Sequence, residues 1–269
     1  MKKYKFLAVL MSAMLTASAL ASCTSAPAAS ASDLGLLTDG VLKIGCEISY
    51  PPFEIFDDDG TTAIGLDIDL GKAIARELGV TTQLENTAWD GIFAGLDINK
   101  YDCVISAVTI NAERRGIMDL SDPYIENWQA IVVKKGHAPV TSVEGLDGLS
   151  VGYQDATTSD EYLADLIDTN VISCQVSEYD KVLNCFDDLR LDRLDAVLAD
   201  STVADGYVAR EPDVFEITWI QSSEPGAEAE TFGIGVKKGN DKLLNAINAA
   251  LRKLEESGEL DTIRQNWLE

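Results

Sequence analysis

The sequence predicts an α/β fold divided into two lobes. Apolar runs of strand length alternate with stretches whose apolar residues recur at helical spacing, the alternation occurs in two sets, and the second set echoes the first. In the first set, residues 41–48 form a strand, and Tyr50-Pro51-Pro52-Phe53 forces a turn that cannot be helical. Asp57-Asp58-Asp59-Gly60 is a solvent turn. Leu66, Leu70, Ala73, Ile74 and Leu78 then share one helical face, and Gly79 stops that helix. A strand over 80–84, a helix over 89–96 and the strand in YDCVIS complete β-α-β-α-β, the order of a mostly parallel sheet flanked by helices.

The second set places strands at 129–133, 149–153, 171–176 and 196–198, with helices at 159–167 and 180–189. Trp89-Asp90 followed by Tyr101-Asp102 has its counterpart in Tyr179-Asp180 followed by Leu194-Asp195. The tail gives a strand over 231–236, a helix over 241–254 and a short helix over 260–267. A tail packed on the first lobe makes the chain cross between lobes twice, near 125–129 and 222–230, which is a hinge. The expected division is residues 39–126 plus 225–269 for lobe 1 and 127–224 for lobe 2.

Residues 1–22 stand apart from the fold. Lys2, Lys3 and Lys5 precede an apolar stretch and then small residues, the pattern of a secretory signal, and the stretch is too short for a permanent membrane span. Leu20-Ala21-Ser22-Cys23 resembles the lipobox of bacterial lipoproteins, in which the cysteine is lipidated. Residues 23–38 read as that lipidated cysteine and a flexible tether.

Composition removes several function classes. The chain has 21 basic against 45 acidic side chains, a net charge of −24, which opposes nucleic-acid binding and charge-driven adsorption to anionic lipid. His137 is the only histidine, so Ser-His-Asp and Cys-His catalysis and histidine-rich metal sites are out of reach. No phosphate-cradling glycine motif occurs, and no cofactor is expected. Cys46, Cys103, Cys174 and Cys185 lie inside apolar patterns that suit buried thiols, although an exported chain also permits disulfides.

YDCVISAVTINAER, from Tyr101 to Arg114, carries the chemistry. A buried strand brings Ser106 and Thr109 to its carboxyl end, Asn111 caps the next helix, and Arg114 falls in that helix's first turn. A cation there opposes the helix dipole, so an anionic partner is called for.

Together with IGCEISYPPFE, IGLDIDLGKAIARELG, WDGIFAGL, FDDLRLDRLDAVLAD and the closing GVKKGNDKLLNAINAALRKLEESGELDTIRQNW, that stretch resembles the polar amino-acid-binding proteins of ABC importers. Those proteins have a two-lobed periplasmic-binding-protein fold. The resemblance implies that Arg114 forms a bidentate pair with a ligand α-carboxylate, completed by the Thr109 hydroxyl and by backbone N–H groups near Thr109 and Thr158. It implies that Asp200 and the Ala107 carbonyl hold the α-ammonium, that Tyr50 and Trp89 cover the ligand side chain, and that Ser106 and Thr157 also line the site. Glu47 matches a position at which relatives that take basic amino acids present an acid. A cationic ligand such as arginine or lysine is therefore favoured, with glutamine or cystine possible.

Structural roles compete with these. Asp200 is suited to capping a helix from Ser201 onward and Thr157 and Thr158 to capping another, while Glu228 and Glu230, near the return crossing, read as solvated, with lining of the cleft mouth as the alternative. Two departures from the family pattern stand out: Ala156 precedes Thr157 where Gly is common, and Ala107 stands where Gly or Ser is frequent. The implied partners are a free polar amino acid and the importer's transmembrane subunits. The expected form is a monomer tethered by lipid alone to the outer face of the cytoplasmic membrane, or in the periplasm. A cyclohexadienyl dehydratase-like enzyme on the same fold and a ligand sensor for a membrane receptor are the alternatives.

Overall fold

A computed structural model describes residues 34–268; the expected signal segment, Cys23 and the expected tether as far as residue 33 lie outside the described residues. The packed fold begins earlier than the expected residue 39. Leu34 is buried, and the Leu37 N–H donates to Asp102 Oδ1 at 2.7 Å, so apolar contact and one buried carboxylate fasten the end of the tether.

The first part of the chain contributes β1 (Val41–Cys46), β2 (Ile55–Phe56), β3 (Ala63–Ile64), α1 (Leu66–Leu78), β4 (Thr81–Asn86), α2 (Ile92–Asp97), β5 (Cys103–Thr109), α3 (Ala112–Ile117), β6 (Met118–Leu120) and β7 (Ile125–Asn127). Then come β8 (Gln129–Lys134), β9 (Ser150–Gln154), α4 (Thr158–Asp168), β10 (Gln175–Tyr179), α5 (Val182–Arg190), β11 (Ala196–Asp200), α6 (Ser201–Arg210) and β12 (Phe215–Ile220). The chain closes with β13 (Glu230–Lys237), α7 (Asp241–Ser257) and α8 (Glu259–Leu268).

Two sheets carry the lobes. The first has the order β4-β1-β5-β13-β6, with β7 also paired to β13, and the second has the order β10-β9-β11-β8-β12. In each, three strands run parallel, β4-β1-β5 and β10-β9-β11, and antiparallel strands extend them, so the sheets are mixed. The chain passes from the first sheet to the second between β7 and β8 and returns between β12 and β13. α1 and α7 pack together on the first sheet, burying Ile74, Leu243, Ile247 and Leu251.

The internal echo has a structural basis. Asp102, just before β5, accepts the Lys43 N–H of β1 at 2.8 Å and returns its own N–H to the Lys43 carbonyl. Asp195, just before β11, does the same with Ser150 of β9, at 2.8 Å. Each aspartate thus sets the register between the two central strands of its sheet.

Several elements depart from the sequence expectation. The helix expected from Trp89 opens as a 3-10 turn over Trp89–Gly91 before α2. The strand expected over 171–176 forms only from Gln175, because the N–H groups of Val171 and Ile172 both turn back to the Leu166 carbonyl at the end of α4. Strands β2, β3, β6, β7 and β12 have no counterpart in the expectation. One glycine is set by close approach: a Cβ on Gly95 would stand 2.0 Å from the Tyr101 Oη, which donates to the Ile92 carbonyl, so α2 lies directly on that ring.

Candidate functional site

Ligand sites in open α/β sheets lie at the carboxyl ends of parallel strands, and here those ends from both sheets converge. Glu47 follows β1, Thr109 ends β5, Gln154 ends β9 and Asp200 ends β11. Together with Tyr50, Trp89, Ser106, Ala107, Arg114, Thr157 and Thr158 they line a cavity of about 300 Å³. All ten positions named from sequence are therefore in one place.

Arg114 sits in α3, whose N-cap Asn111 accepts the Arg114 N–H at 2.8 Å. Its guanidinium is buried, stands 5.3 Å from the ring centres of both Trp89 and Phe93, and donates from NH1 to the Thr109 carbonyl at 3.1 Å. Among the described residues it makes no salt bridge, and burial lowers its pKa. A buried cation with most of its donors unspent is a costly arrangement unless an anion meets it.

Asp200 is not a side-chain cap of α6, so the structural alternative is not realised. Its carboxylate instead accepts the Tyr50 hydroxyl at 2.5 Å, Asn127 Nδ2 at 2.6 Å and Gln129 Nε2 at 3.3 Å. Burial raises its pKa while these three donors pull it back down. Thr157 does cap α4, accepting the Asp160 N–H, and its hydroxyl donates to the Gln154 carbonyl at 2.7 Å. Thr109 and Thr158 hydroxyls stand 3.5 Å apart.

Glu47 is buried. Its Oε2 accepts Gln154 Nε2 at 2.7 Å, and its Oε1 has no partner. Burial raises the Glu47 pKa, with Gln154 and Lys181 opposing. The Trp89 indole N–H donates to the Ala156 carbonyl at 2.8 Å. Chemically the cavity offers a planar cation at one end, a carboxylate at another, aromatic faces between them and an acid with one free oxygen.

Both departures from the family pattern fall where the backbone favours glycine. Ala107 has φ 47° and Ala156 φ 58°, both left-handed, where glycine is free of strain and alanine loses about 1 kcal/mol. Alanine occupies these positions without moving the carbonyl of Ala156 away from Trp89.

The sequence profile of the bacterial extracellular solute-binding proteins, family 3, matches residues 42–269. The chain belongs to that family. It is 35% identical over 240 residues to the L-cystine-binding protein TcyJ of Escherichia coli (strain K12), covering 87% of this chain and 86% of that protein. Among solved structures, an ancestral arginine-binding protein bound to arginine is 38% identical with a TM-score of 0.78, covering 86% of this chain and 99% of the other. An ancestral arginine-binding protein bound to glutamine is 39% identical with a TM-score of 0.77, over 86% and 98%.

In this family 3 protein two polar residues escaped the sequence reading. Gln154 closes β9 much as Glu47 follows β1, a correspondence between the lobes that could have found it. Glu230 was expected to be solvated, and the structure corrects this: its Oε2 accepts Gln129 Nε2 at 3.1 Å, Thr158 Oγ1 at 3.3 Å and Asn127 Nδ2 at 3.4 Å. Burial and the neighbouring Asp200 push its carboxyl up to about 7. Among the described residues no group of His, Cys, Asp and Glu is arranged to hold a metal, and no helix is long and apolar enough to cross a membrane. Cys46, Cys103, Cys174 and Cys185 are free thiols.

Proposed function

We propose that the protein captures a polar L-amino acid between its lobes and delivers it to an ABC importer. Buried Arg114, with no carboxylate among the described residues paired to it, carries this reading. Its fork takes the α-carboxylate, with the Thr109 hydroxyl and the backbone N–H groups near Thr109 and Thr158 completing the contact. Asp200 and the Ala107 carbonyl take the α-ammonium, while Tyr50 and Trp89 cover the side chain. The ligand touches both lobes only when they are together, so it favours the closed arrangement through differential contacts and no covalent step is needed. Asp200 favours capture over a dehydratase acting on a plain anionic ring.

Glu47 Oε1, buried and unpartnered, favours a side chain that ends in a cation, arginine or lysine before glutamine or cystine. Glu47→Gln is expected to weaken arginine binding by about 10-fold or more and leave glutamine within about three-fold, as measured by calorimetry. Equal losses for both ligands would show that Glu47 does not read the distal group. A thermal-shift screen of the common amino acids with ornithine, citrulline, cystine and prephenate tests the function as a whole. A rise with at least one polar amino acid is expected; a rise with prephenate alone would make the protein an enzyme of the dehydratase kind. The lipobox-like Leu20–Cys23 segment supports anchoring by a lipid on Cys23 at the outer face of the membrane, within reach of the importer.

A further inference from the structure

Two carboxyls lie behind the cavity wall formed by Ser106 and Ala107. Glu54 and Asp67 are 0% and 1% exposed. Glu54 follows the Pro-Pro turn and Asp67 stands in the first turn of α1. Ser106 Oγ donates to Glu54 Oε1 at 2.5 Å while accepting the Glu47 N–H at 3.1 Å. Asp67 Oδ2 accepts the Ala107 N–H at 2.7 Å and the Tyr124 hydroxyl at 3.0 Å. The two carboxyls are close enough to act on each other's ionisation. Each has one oxygen with no other partner, Glu54 Oε2 and Asp67 Oδ1. Two bare carboxylate oxygens cannot share a dry interior without strong repulsion, and one proton between them satisfies both.

We propose that Glu54 and Asp67 are a one-proton pair that positions the binding wall: Glu54 Oε2 carries the proton and donates it to Asp67 Oδ1, and the Asp67 anion holds the Ala107 peptide in its left-handed turn. The proton belongs to Glu54 because Asp67 accepts two further hydrogen bonds, which favour its charged form, against one for Glu54. Burial first, and then Asp67, push the Glu54 carboxyl well above its usual range. The other titratable groups acting on the pair are Glu47, Cys46, Tyr50 and Tyr124, all acids, and none supplies a cation that would ionise both members. As a positioning device the pair rests on the capture reading above; as a proton-sharing pair it does not.

The sign of its pH dependence follows from linkage. Glu54 titrates higher folded than its ordinary 4.5, so the native state holds more protons from there up to the folded value. Stability from this group is complete below about pH 4.5 and declines as pH rises through that window. Glu54→Gln replaces the donated O–H by an N–H and removes the titration. Its Tm should equal the wild-type value near pH 4.5 and exceed it by about 4 °C or more near pH 8. Amino-acid affinity should fall about 10-fold or more in Glu54→Ala and return to within about three-fold of wild type in Glu54→Gln. The infrared spectrum of the wild-type protein near pH 8 should retain the carbonyl band of an un-ionised carboxylic acid.

A Glu54→Gln protein less stable than wild type by the same margin at every pH would overturn the proposal, as would absence of that band. The infrared arm decides even if the variant yields no folded protein. Should the wild type bind no amino acid, the capture reading fails while the melting and infrared arms still decide the pair.

Discussion

Arg114→Ala is expected to weaken amino-acid binding by about 100-fold or more, to the point where calorimetry detects no heat at ordinary protein concentrations. A charge-assisted bidentate pair in a water-poor cavity is worth roughly 3 kcal/mol or more, and nothing else on that wall can replace it. Thr109 offers one hydroxyl, already 3.5 Å from that of Thr158. Arg114→Lys should recover only a small part of the loss, since an ammonium lacks the planar fork and cannot lie in the same way against Trp89 and Phe93. The unliganded protein should change little in melting temperature, because the lost packing is offset by relief of a buried, unpaired cation. Retention of affinity within about ten-fold in Arg114→Ala would remove Arg114 from the site.

Asp200→Asn is expected to cost a comparable factor, about 100-fold, against amino acids. The amide keeps the size of the side chain and can still accept the Tyr50 hydroxyl, so the variant tests charge rather than shape. The discriminating ligand is the amino acid's analogue lacking the α-amine. Wild type should bind it weakly, and Asp200→Asn should bind it no worse than wild type, since the ammonium contact is absent in both cases. A uniform loss for ligand and analogue would mean that Asp200 acts by holding Asn127 and Gln129 in place.

Much of this was legible before any coordinates. The strand from Cys103, the cap at Asn111 and the placement of Arg114 follow from local pattern, because each depends on residues within a few positions of itself. The paired aspartates before β5 and β11 showed as an internal echo, since each repeats one local job in its own lobe. What escaped was decided by distant partners. Strands β6 and β7 have three residues each, and like the six-residue β12 they are set by pairing with β13 and β8 rather than by their own periodicity. Glu230 looks solvated in sequence because Gln129 and Thr158, which donate to it, lie 101 and 72 residues upstream and on the other side of the cavity. The strand at 171–176 was misplaced because backbone bonds closing α4 claimed its first residues.

The bonds that run from lobe to lobe also set a clock. Trp89 to the Ala156 carbonyl, Tyr50 to Asp200 and Gln154 to Glu47 all join opposite walls of the same cavity. An occupant walled in on both sides cannot diffuse out until those contacts, and the bonds from Thr158 and Gln129 to Glu230, have parted together. Its residence time is then governed by how often the lobes swing open rather than by its own grip, so release to a membrane partner becomes a matter of mechanical prying.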